Sequence, residues 1–213
     1  MVKIYTNNIR VNGLGIGSSI WGEHDMITPG KRAVVKLDLQ SALPLKYWTV
    51  FGMTEIANVS FDITQKDFES DVVVDAVGVG IDVSDKMIGF DKSGENLYNK
   101  NGLNVILKEI VMESADGGDV FIFLLAENNS DNVLQIDDVY DSLSVNDFMM
   151  RYSCYGVDIG VGEWHILKIR LEEDDLAEIG IASLEQITNI EFSISIRDDG
   201  HKKIDEPTIA INK

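Results

Sequence analysis

The chain has 213 residues, which is enough for one large domain or two small ones. It carries 36 Asp+Glu against 18 Lys+Arg, and a net charge of -18 repels phosphates and anionic lipids, so nucleic acid and acidic membrane surfaces are excluded as partners. Cys154 is the single cysteine, which excludes an internal disulfide and a multi-cysteine zinc site.

Alternating apolar and polar residues predict strands in the first part of the chain. The segments 35–39 and 59–63 alternate in this way, which places one face of each strand in a core and the other in water. Short helical turns are predicted at 41–45 and 53–57. The glycine run 13–17 follows no βαβ pattern, so we interpret it as a bulge or tight bend in a strand.

The same two-residue period returns in the second half. Residues 103–108 alternate less regularly, while 167–171 and 190–197 alternate cleanly. The continuous apolar run 121–126 predicts a central strand that is covered on both faces. Helical turns are predicted at 173–179, and also at 183–187. Many short strands separated by Gly, Asn and Asp clusters predict an all-β protein built as antiparallel sandwiches.

The sequence also repeats itself. Segment 9–13 resembles 143–147, and segment 53–63 resembles 184–194, at an offset that drifts only from 134 to 131 residues. A repeat of such long period indicates two copies of one folding unit. We therefore predict two domains, with copy one in residues 1–84 and copy two in residues 85–213.

The leading strands predicted for copy two have no counterpart in copy one. Copy two begins near Asp91 and has two strands before Val145-Asn146, whereas copy one reaches Val11-Asn12 almost at once. Roughly forty residues, enough for two or three strands, have no counterpart before copy one. A sandwich without those strands exposes sheet edges and apolar surface. We expect a longer array, a partner or copy two to supply them, and we expect the chain to associate or its copies to pair.

No catalytic set passes a comparison between the two copies. Cys154 is the only candidate thiol nucleophile, and His165 follows eleven residues later, but both have apolar counterparts in copy one. A buried small hydrophobe is the better interpretation of the cysteine. His24 and His201 have no histidine opposite them, and three scattered histidines do not make a closed tetrahedral metal site. We predict no catalytic residue, no metal site and no cofactor.

Acidic clusters raise calcium binding as an alternative. The clusters are 116–119, 172–175, 198–199, and the loop with Asp137, Asp138 and Asp141, which is the strongest of them. None has the spacing of a calcium-binding loop. Residues 172–175 more simply form the capped start of a short helix.

Aromatic residues raise carbohydrate binding as a second alternative, because flat aromatic faces stack on sugars. The candidates are Trp21, Trp48, Trp164, Tyr47, Tyr152 and Tyr155. Trp21 lies opposite Tyr155 in the repeat, which favours a shared core position. Paired carboxylates for glycoside hydrolysis need a cleft that sequence spacing does not define.

One group of residues resembles a known family. The group is Gly94, Leu97, Tyr98, Asn101, Gly102, Leu103 and Val105, then 127–131, then Ser144, Val145 and Asn146, then Ile187, Ile190 and Phe192. Together they resemble an immunoglobulin-like (telokin-like) β-sandwich module, often in tandem, of uncharacterised surface or exported proteins of Clostridia-type bacteria. The resemblance covers copy two nearly throughout and copy one from about Tyr5 to Ile81. Asp147 departs from the glycine usual in the family.

The resemblance implies two tandem immunoglobulin-like sandwiches, the first lacking its N-terminal strands, in an extracytoplasmic or cell-surface setting and without enzymatic activity. We therefore predict a non-catalytic structural or protein-interaction module, with a carbohydrate-binding accessory module as the alternative. The expected partner is another protein, or a second copy bound through copy one. No stretch reaches the ~18 apolar residues of a membrane span, so no direct membrane insertion is expected.

Overall fold

The computed structural model describes residues 2–20, 26–28, 30–32, 34, 38–67, 69–70, 72–114 and 118–213. The chain divides into two compact units, Met1–Asp91 and Lys92–Lys213. Unit 1 and unit 2 below refer to these ranges. Strands account for 52% of the chain and helices for 10%, and the strand pairs are antiparallel, which confirms the all-β class.

Unit 1 contains one antiparallel sheet and two short helical segments. Its strands are β1 (Val2–Val11), β2 (Leu14–Ile20), β3 (Met26–Ile27), β4 (Asn58–Asp67) and β5 (Val73–Asp82). Their order in the sheet is β5-β4-β1-β2, and β3 also pairs with β1. Helix α1 (Leu39–Ala42) and a 3₁₀ helix (Leu45–Phe51) connect the β1–β2 hairpin to β4.

Two local predictions for unit 1 fail for identifiable reasons. Of the predicted strand 35–39, residues 35–37 lie outside the described residues, and Leu39 begins α1 instead. The Asp38 carboxylate accepts a hydrogen bond from the backbone N–H of Gln40 at 3.0 Å, which caps that helix. The predicted helical turn at 53–57 is absent, because the Asn12 side chain binds the backbone of this segment.

Unit 2 contains two antiparallel sheets. One has the order β14-β8-β7-β6 with β12 beside β14, and the other has the order β11-β10-β15-β9-β13 with β16 and β17 also on β15. The strands are β6 (Glu95–Lys100), β7 (Leu103–Met112), β8 (Val120–Asn128), β9 (Leu134–Asp138), β10 (Ser144–Val145), β11 (Phe148–Met149), β12 (Tyr152–Cys154), β13 (Val157–Ile159), β14 (Trp164–Leu171), β15 (Asn189–Asp198), β16 (Lys203–Asp205) and β17 (Thr208–Asn212).

The inner side chains of both sheets of unit 2 form one core. Strand β8 lies between β7 and β14 and buries every residue except Glu127, as the continuous apolar run predicts. Helix α2 (Glu173–Glu178) and a 3₁₀ helix (Leu184–Gln186) form where helical turns are predicted. The core gathers alternate residues of β7, β8, β14, β15 and β17, which is consistent with a β-sandwich.

An asparagine of the repeated Val-Asn motif holds unit 1 together locally. Asn12 is buried, and its Oδ1 accepts hydrogen bonds from the backbone N–H of Ala57 at 2.8 Å and of Asn58 at 3.2 Å. Its Nδ2 donates to the Glu55 carbonyl at 2.9 Å. The asparagine therefore fixes the chain that enters β4.

The equivalent asparagine of unit 2 makes the same bonds. Asn146 Oδ1 accepts from the backbone N–H of Thr188 at 2.8 Å and of Asn189 at 3.3 Å, and its Nδ2 donates to the Gln186 carbonyl at 2.7 Å. Both asparagines have positive φ, 52° and 50°. The repeat in sequence is thus a repeat in hydrogen bonding.

The turn at each asparagine forms with either glycine or aspartate at the following position. Asn12 and Gly13 both have positive φ and join β1 to β2 in a two-residue turn, the geometry of type I′ hairpins. Asn146 and Asp147 do the same between β10 and β11, with φ of 69° at Asp147. An aspartate adopts this left-handed conformation more readily than most residues, so the turn forms without glycine.

Candidate functional site

The edge strand β5 of unit 1 and its neighbour β4 carry a one-sided apolar surface. Opposite pairs across β4 and β5 share one side of the sheet, because successive strand residues alternate between faces. We call the six apolar residues on this side the β4–β5 face: Val59 with Ile81, Phe61 with Val79, and Ile63 with Val77.

The opposite side of the same strands is polar. It carries Asp62 and Thr64, which bind side chains of β1. Asn8 Nδ2 donates to Asp62 Oδ2 at 2.7 Å, and Asn7 Nδ2 donates to Thr64 Oγ1 at 3.1 Å. The hairpin is therefore amphipathic, with its apolar side chains gathered on the β4–β5 face.

Burial on the β4–β5 face falls from the centre of the sheet towards its edge. In the row across β1, β4 and β5, Val11 is fully buried, Val59 is half-buried and Ile81 is 48% exposed. A second row repeats the trend and ends at Val77, which is 52% exposed. The apolar surface is thus the uncovered margin of a core.

The equivalent row in unit 2 is buried along its whole length. Val145, Ile190 and Ile211 lie side by side across β10, β15 and β17, and all three are buried. They belong to a core that also contains Val105 of β7 and Ile122 of β8. The same pattern of side chains is therefore covered in unit 2 and left open in unit 1.

Strand β5 also presents an open edge. Among the described residues it pairs with β4 alone, and nine of its ten residues are exposed. The exposed apolar side chains include Val73, Val74 and Val77. An edge of this length and composition is a template for pairing with another strand. The β4–β5 face and this edge form the candidate interaction surface.

The predicted thiol candidate lies in the core margin of unit 2. Cys154 packs against the core from β12, and burial raises the pKa of its thiol to about 12, with Asp138 and Asp137 adding to the effect. His165 is buried on β14, four residues from Ile169, which pairs with Cys154. That spacing is roughly 13 Å at ~3.3 Å per residue, so the two do not form a nucleophile–base pair.

We expect Cys154 to react at least ~100-fold more slowly with iodoacetamide at pH 8 than a free cysteine does, because the thiolate is the reactive form. Mass spectrometry of the alkylated protein over time measures the rate. The protein unfolded in guanidinium serves as the control and should react at the ordinary thiol rate. A folded protein that alkylates as fast as the unfolded one would contradict the burial of this thiol.

Among the described residues, the remaining histidines form no site with Cys154. His24 lies outside the described residues, as does Trp21. His201 is exposed in the turn after β15, and its Nδ1 is 2.9 Å from Gln135 Oε1. Across the described ranges, no three His, Cys, Asp or Glu side chains converge on a position where they would hold a metal ion.

The acidic clusters have local structural roles. Asp137 and Asp138 are consecutive on β9 and therefore point to opposite faces of the sheet, which separates the strongest calcium candidates. Asp198 accepts hydrogen bonds from the backbone N–H of Gly200 at 3.0 Å and of Lys202 at 2.9 Å, which builds the turn after β15. Of the cluster 116–119, residues 116 and 117 lie outside the described residues.

The start of α2 is capped by Asp119, which is distant in the chain and directly precedes β8. Asp119 accepts hydrogen bonds from Arg170 Nε at 2.7 Å and from the backbone N–H of Glu173 at 3.1 Å. Glu172 occupies the N-cap position, but its side chain makes no capping bond. Asp175 is buried in the first turn and pairs with Arg151 at 2.5 Å. The acidic run 172–175 therefore starts a helix, as predicted, with the cap supplied by Asp119.

Of the five candidate sugar-stacking aromatics among the described residues, three are buried, Tyr152 is half-buried and Tyr155 is exposed. Tyr47 and Trp48 are buried in unit 1, and Trp48 Nε1 donates to the Leu43 carbonyl at 2.8 Å. Trp164 is buried in unit 2, where Lys92 Nζ lies 4.6 Å from the centre of its ring. Tyr155 is 72% exposed, so the prediction that it occupies a core position is wrong.

Sequence reasoning missed one polar cluster in unit 2. Tyr98 on β6 donates a hydrogen bond from its hydroxyl to Asp205 Oδ2 on β16 at 2.8 Å, and Asn101 Nδ2 donates to the same oxygen at 2.9 Å. Burial raises the pKa of Tyr98 to about 12, and the bond from Tyr98 lowers the pKa of Asp205. The cluster links the two sheets, and 107 residues separate its partners.

This link should make stability depend on pH at both extremes. Asp205 has a folded pKa below its unfolded value near ~3.9, so its contribution is present above that pH and is lost as the pH falls through the folded pKa. Tyr98 has a raised pKa, so its contribution is lost as the pH rises from ~10 through 12. We expect Tyr98→Phe to lower the melting temperature between about pH 5 and 9, with the difference from wild type shrinking below pH ~4. A difference that does not change with pH would contradict the link.

A cavity of about 400 Å³ lies beside Asn12 in unit 1. Its lining includes Asp82 and Lys86, and both side chains are already bonded. Asn58 Nδ2 donates to Asp82 Oδ1 at 2.7 Å, and Lys86 Nζ pairs with Glu55 at 2.8 Å. The charged side chains that line this cavity are therefore engaged in local hydrogen bonds and ion pairs.

Comparison with known proteins finds no matching family model, no matching curated protein and no matching solved structure. In the part of the chain that the structure describes, no helix has the length and apolar character to cross a membrane.

Proposed function

We propose that this chain is a non-catalytic interaction module of a bacterial surface or exported protein, built as tandem immunoglobulin-like sandwiches. In this proposal the β4–β5 face and the open edge of β5 contact another protein. The resemblance of residues 94–105 and 187–192 to the module of exported proteins supports the setting, and the repeated Val-Asn motif supports the tandem arrangement.

One observation carries the proposal: an apolar row that is buried along its whole length in unit 2 has an equivalent in unit 1 that is buried at β1, half-buried at β4 and exposed at β5. An apolar residue that stays exposed beside a strand edge costs solubility unless a partner covers it. The net charge of -18 keeps such a chain soluble in spite of that surface. The acidic charge and the apolar surface together suit a protein that is held in solution until it meets its partner.

The proposal is tested by site-specific photo-crosslinking in the cells that produce the protein. Val77 is replaced by photoreactive benzoylphenylalanine, and Val161, which is 56% exposed in a turn of unit 2, is replaced in the same way as the matched control. We expect discrete crosslinked species from position 77 and none from position 161. Equal yields from the two positions, or none from either, would remove the proposed function.

Carbohydrate binding is the second candidate and has narrower support. Tyr140 and Tyr155 are 86% and 72% exposed in unit 2, whereas the described tryptophans are buried. A glycan array with the wild type and a Tyr140→Ala, Tyr155→Ala double variant tests it. Binding that the double variant abolishes would support this candidate, and no binding across many glycans would exclude it.

A further inference from the structure

We infer that β5 is a pairing edge for a second copy of this chain, with the two β5 strands joined antiparallel across a two-fold axis. This inference rests on the proposed function and names the partner of the same surface. It is argued from the pattern of exposure, the composition of the edge and the symmetry of its sequence.

The pattern of exposure shows where a neighbour is missing. Strand β4 has a strand on each side and keeps all ten residues half-buried, whereas β5 exposes nine of ten. The exposed residues lie on both faces of β5, since Ala76 and Val77 are consecutive in its regularly paired part and both are exposed. A layer above one face would cover only half of them. The missing neighbour is therefore a strand beside β5.

The composition of β5 leaves the edge from Ala76 to Ile81 unprotected, because its two charged residues, Asp75 and Asp82, lie outside that stretch. Natural sheets block their edges with lysine, proline or charged side chains that point inward. Strand β5 contains no Lys, Arg or Pro, and it carries four valines and Ile81. Valine and isoleucine are the residues that fit best into a paired strand.

The sequence of β5 is compatible with pairing to itself. A two-fold axis perpendicular to the sheet keeps the faces aligned, so apolar residues of the β4–β5 face meet apolar residues of the second copy. With the axis at Val79, Val77 lies opposite Ile81. With the axis at any residue from Val77 to Val79, neither Asp75 nor Asp82 meets a second carboxylate. Self-pairing thus avoids the like-charge contacts that destabilise sheets.

Long-range repulsion between the two acidic copies opposes the association, so the dimerisation should depend measurably on salt concentration. Each copy carries a net charge of -18, so two copies repel one another until salt screens them. We therefore expect dimerisation to strengthen when NaCl is raised from about 0.05 to about 0.5 M. An association held by ion pairs would weaken over the same range.

The first experiment is sedimentation velocity of the full chain from about 1 µM to about 1 mM, which spans weak and moderate affinities. We expect a dimer at high salt whose Kd rises at least about tenfold in Val77→Lys, because the lysine places a charge in the paired edge. Val161→Lys is the matched control, with the same substitution at a similarly exposed valine, and should leave the Kd unchanged. Circular dichroism establishes that both variants are folded.

The second experiment locates the contact without disrupting it. A nitroxide is attached to Val79→Cys in a Cys154→Ala background, so that the label has a single thiol, and Val161→Cys in the same background is the control. With the axis from Val77 to Val79, the two copies of position 79 are offset by at most about 13 Å along the strand. We expect a short intermolecular distance, under about 25 Å with the label arms, for position 79 and not for position 161.

The outcomes separate the two proposals. A chain that stays monomeric at every concentration and salt overturns the inference, while crosslinks from position 77 to a different protein would keep the proposed function. A dimer that Val77→Lys leaves unchanged and that shows no short distance at position 79 also overturns the inference. Failure of crosslinking at position 77 would remove both the proposed function and the inference that β5 pairs with a second copy.

Discussion

Replacing Phe192 by Ala should destabilise unit 2 by about 3–5 kcal/mol, the cost of emptying a fully buried aromatic site. Phe192 lies on β15, is 1% exposed and belongs to a core cluster that draws residues from both sheets of unit 2. Hydrogen exchange followed by mass spectrometry, in increasing urea, measures the free energy of unfolding for each unit separately. Separate readouts matter because two units need not unfold in one transition.

Phe61 is the matched control, because it occupies the same repeat position in unit 1. It is only half-buried on the β4–β5 face, so Phe61→Ala should destabilise unit 1 by no more than about 1–2 kcal/mol. Equal losses from the two substitutions would mean that the β4–β5 face is covered as completely as its counterpart. The claim that unit 1 has an open apolar surface would then be wrong.

Replacing Gly102 by Ala should destabilise unit 2 by about 2–4 kcal/mol, from the combined cost of a left-handed backbone and a steric clash. Gly102 has a φ of +77° in the turn between β6 and β7. A Cβ at this position would lie 2.5 Å from Ser130 Cβ and 2.9 Å from the Ser130 backbone nitrogen. Because backbone atoms block the site, the strand and the loop must move apart.

Gly162→Ala separates the two contributions within the same unit. Gly162 has a φ of +73°, and no atom lies within 4 Å of the position a Cβ would take. This variant should therefore lose only about 1–2 kcal/mol, the backbone cost alone. The same urea and hydrogen-exchange measurement applies. If Gly102→Ala were no worse than Gly162→Ala, the close approach of Ser130 would be refuted.

Sequence reasoning succeeded where the determining interactions are local or repeated. Alternation over two residues identified β4, β14 and β15, and the continuous apolar run identified β8 as a central strand. The sequence repeat places Asn12 opposite Asn146, and the two asparagines make equivalent hydrogen bonds in the structure. The tandem immunoglobulin-like arrangement and the surface-protein setting stay predictions, because no related protein or structure matches the chain.

Sequence reasoning failed where a residue that is distant in the chain determines the local structure. The cap of α2 comes from Asp119, 54 residues before the helix. Glu172, the N-cap residue within the run 172–175 that was predicted to cap the helix, makes no such bond. Tyr155 was assigned to a core from its counterpart Trp21, yet it is exposed in the loop between β12 and β13. The helical turn 53–57 was predicted from its match to 183–187 in the repeat, yet Asn12 binds that backbone across 45 residues.

The sequence by itself determined which side chains share a face, because the direction of a strand side chain depends only on its place in a two-residue period. It therefore determined that Phe61 and Phe192 each belong to an apolar stripe. Only the tertiary structure decided that the stripe of β15 is buried, whereas the stripe of β4 is half-buried beside an exposed β5. Covering a stripe requires strands that are distant in the chain, and no local pattern encodes whether such strands arrive.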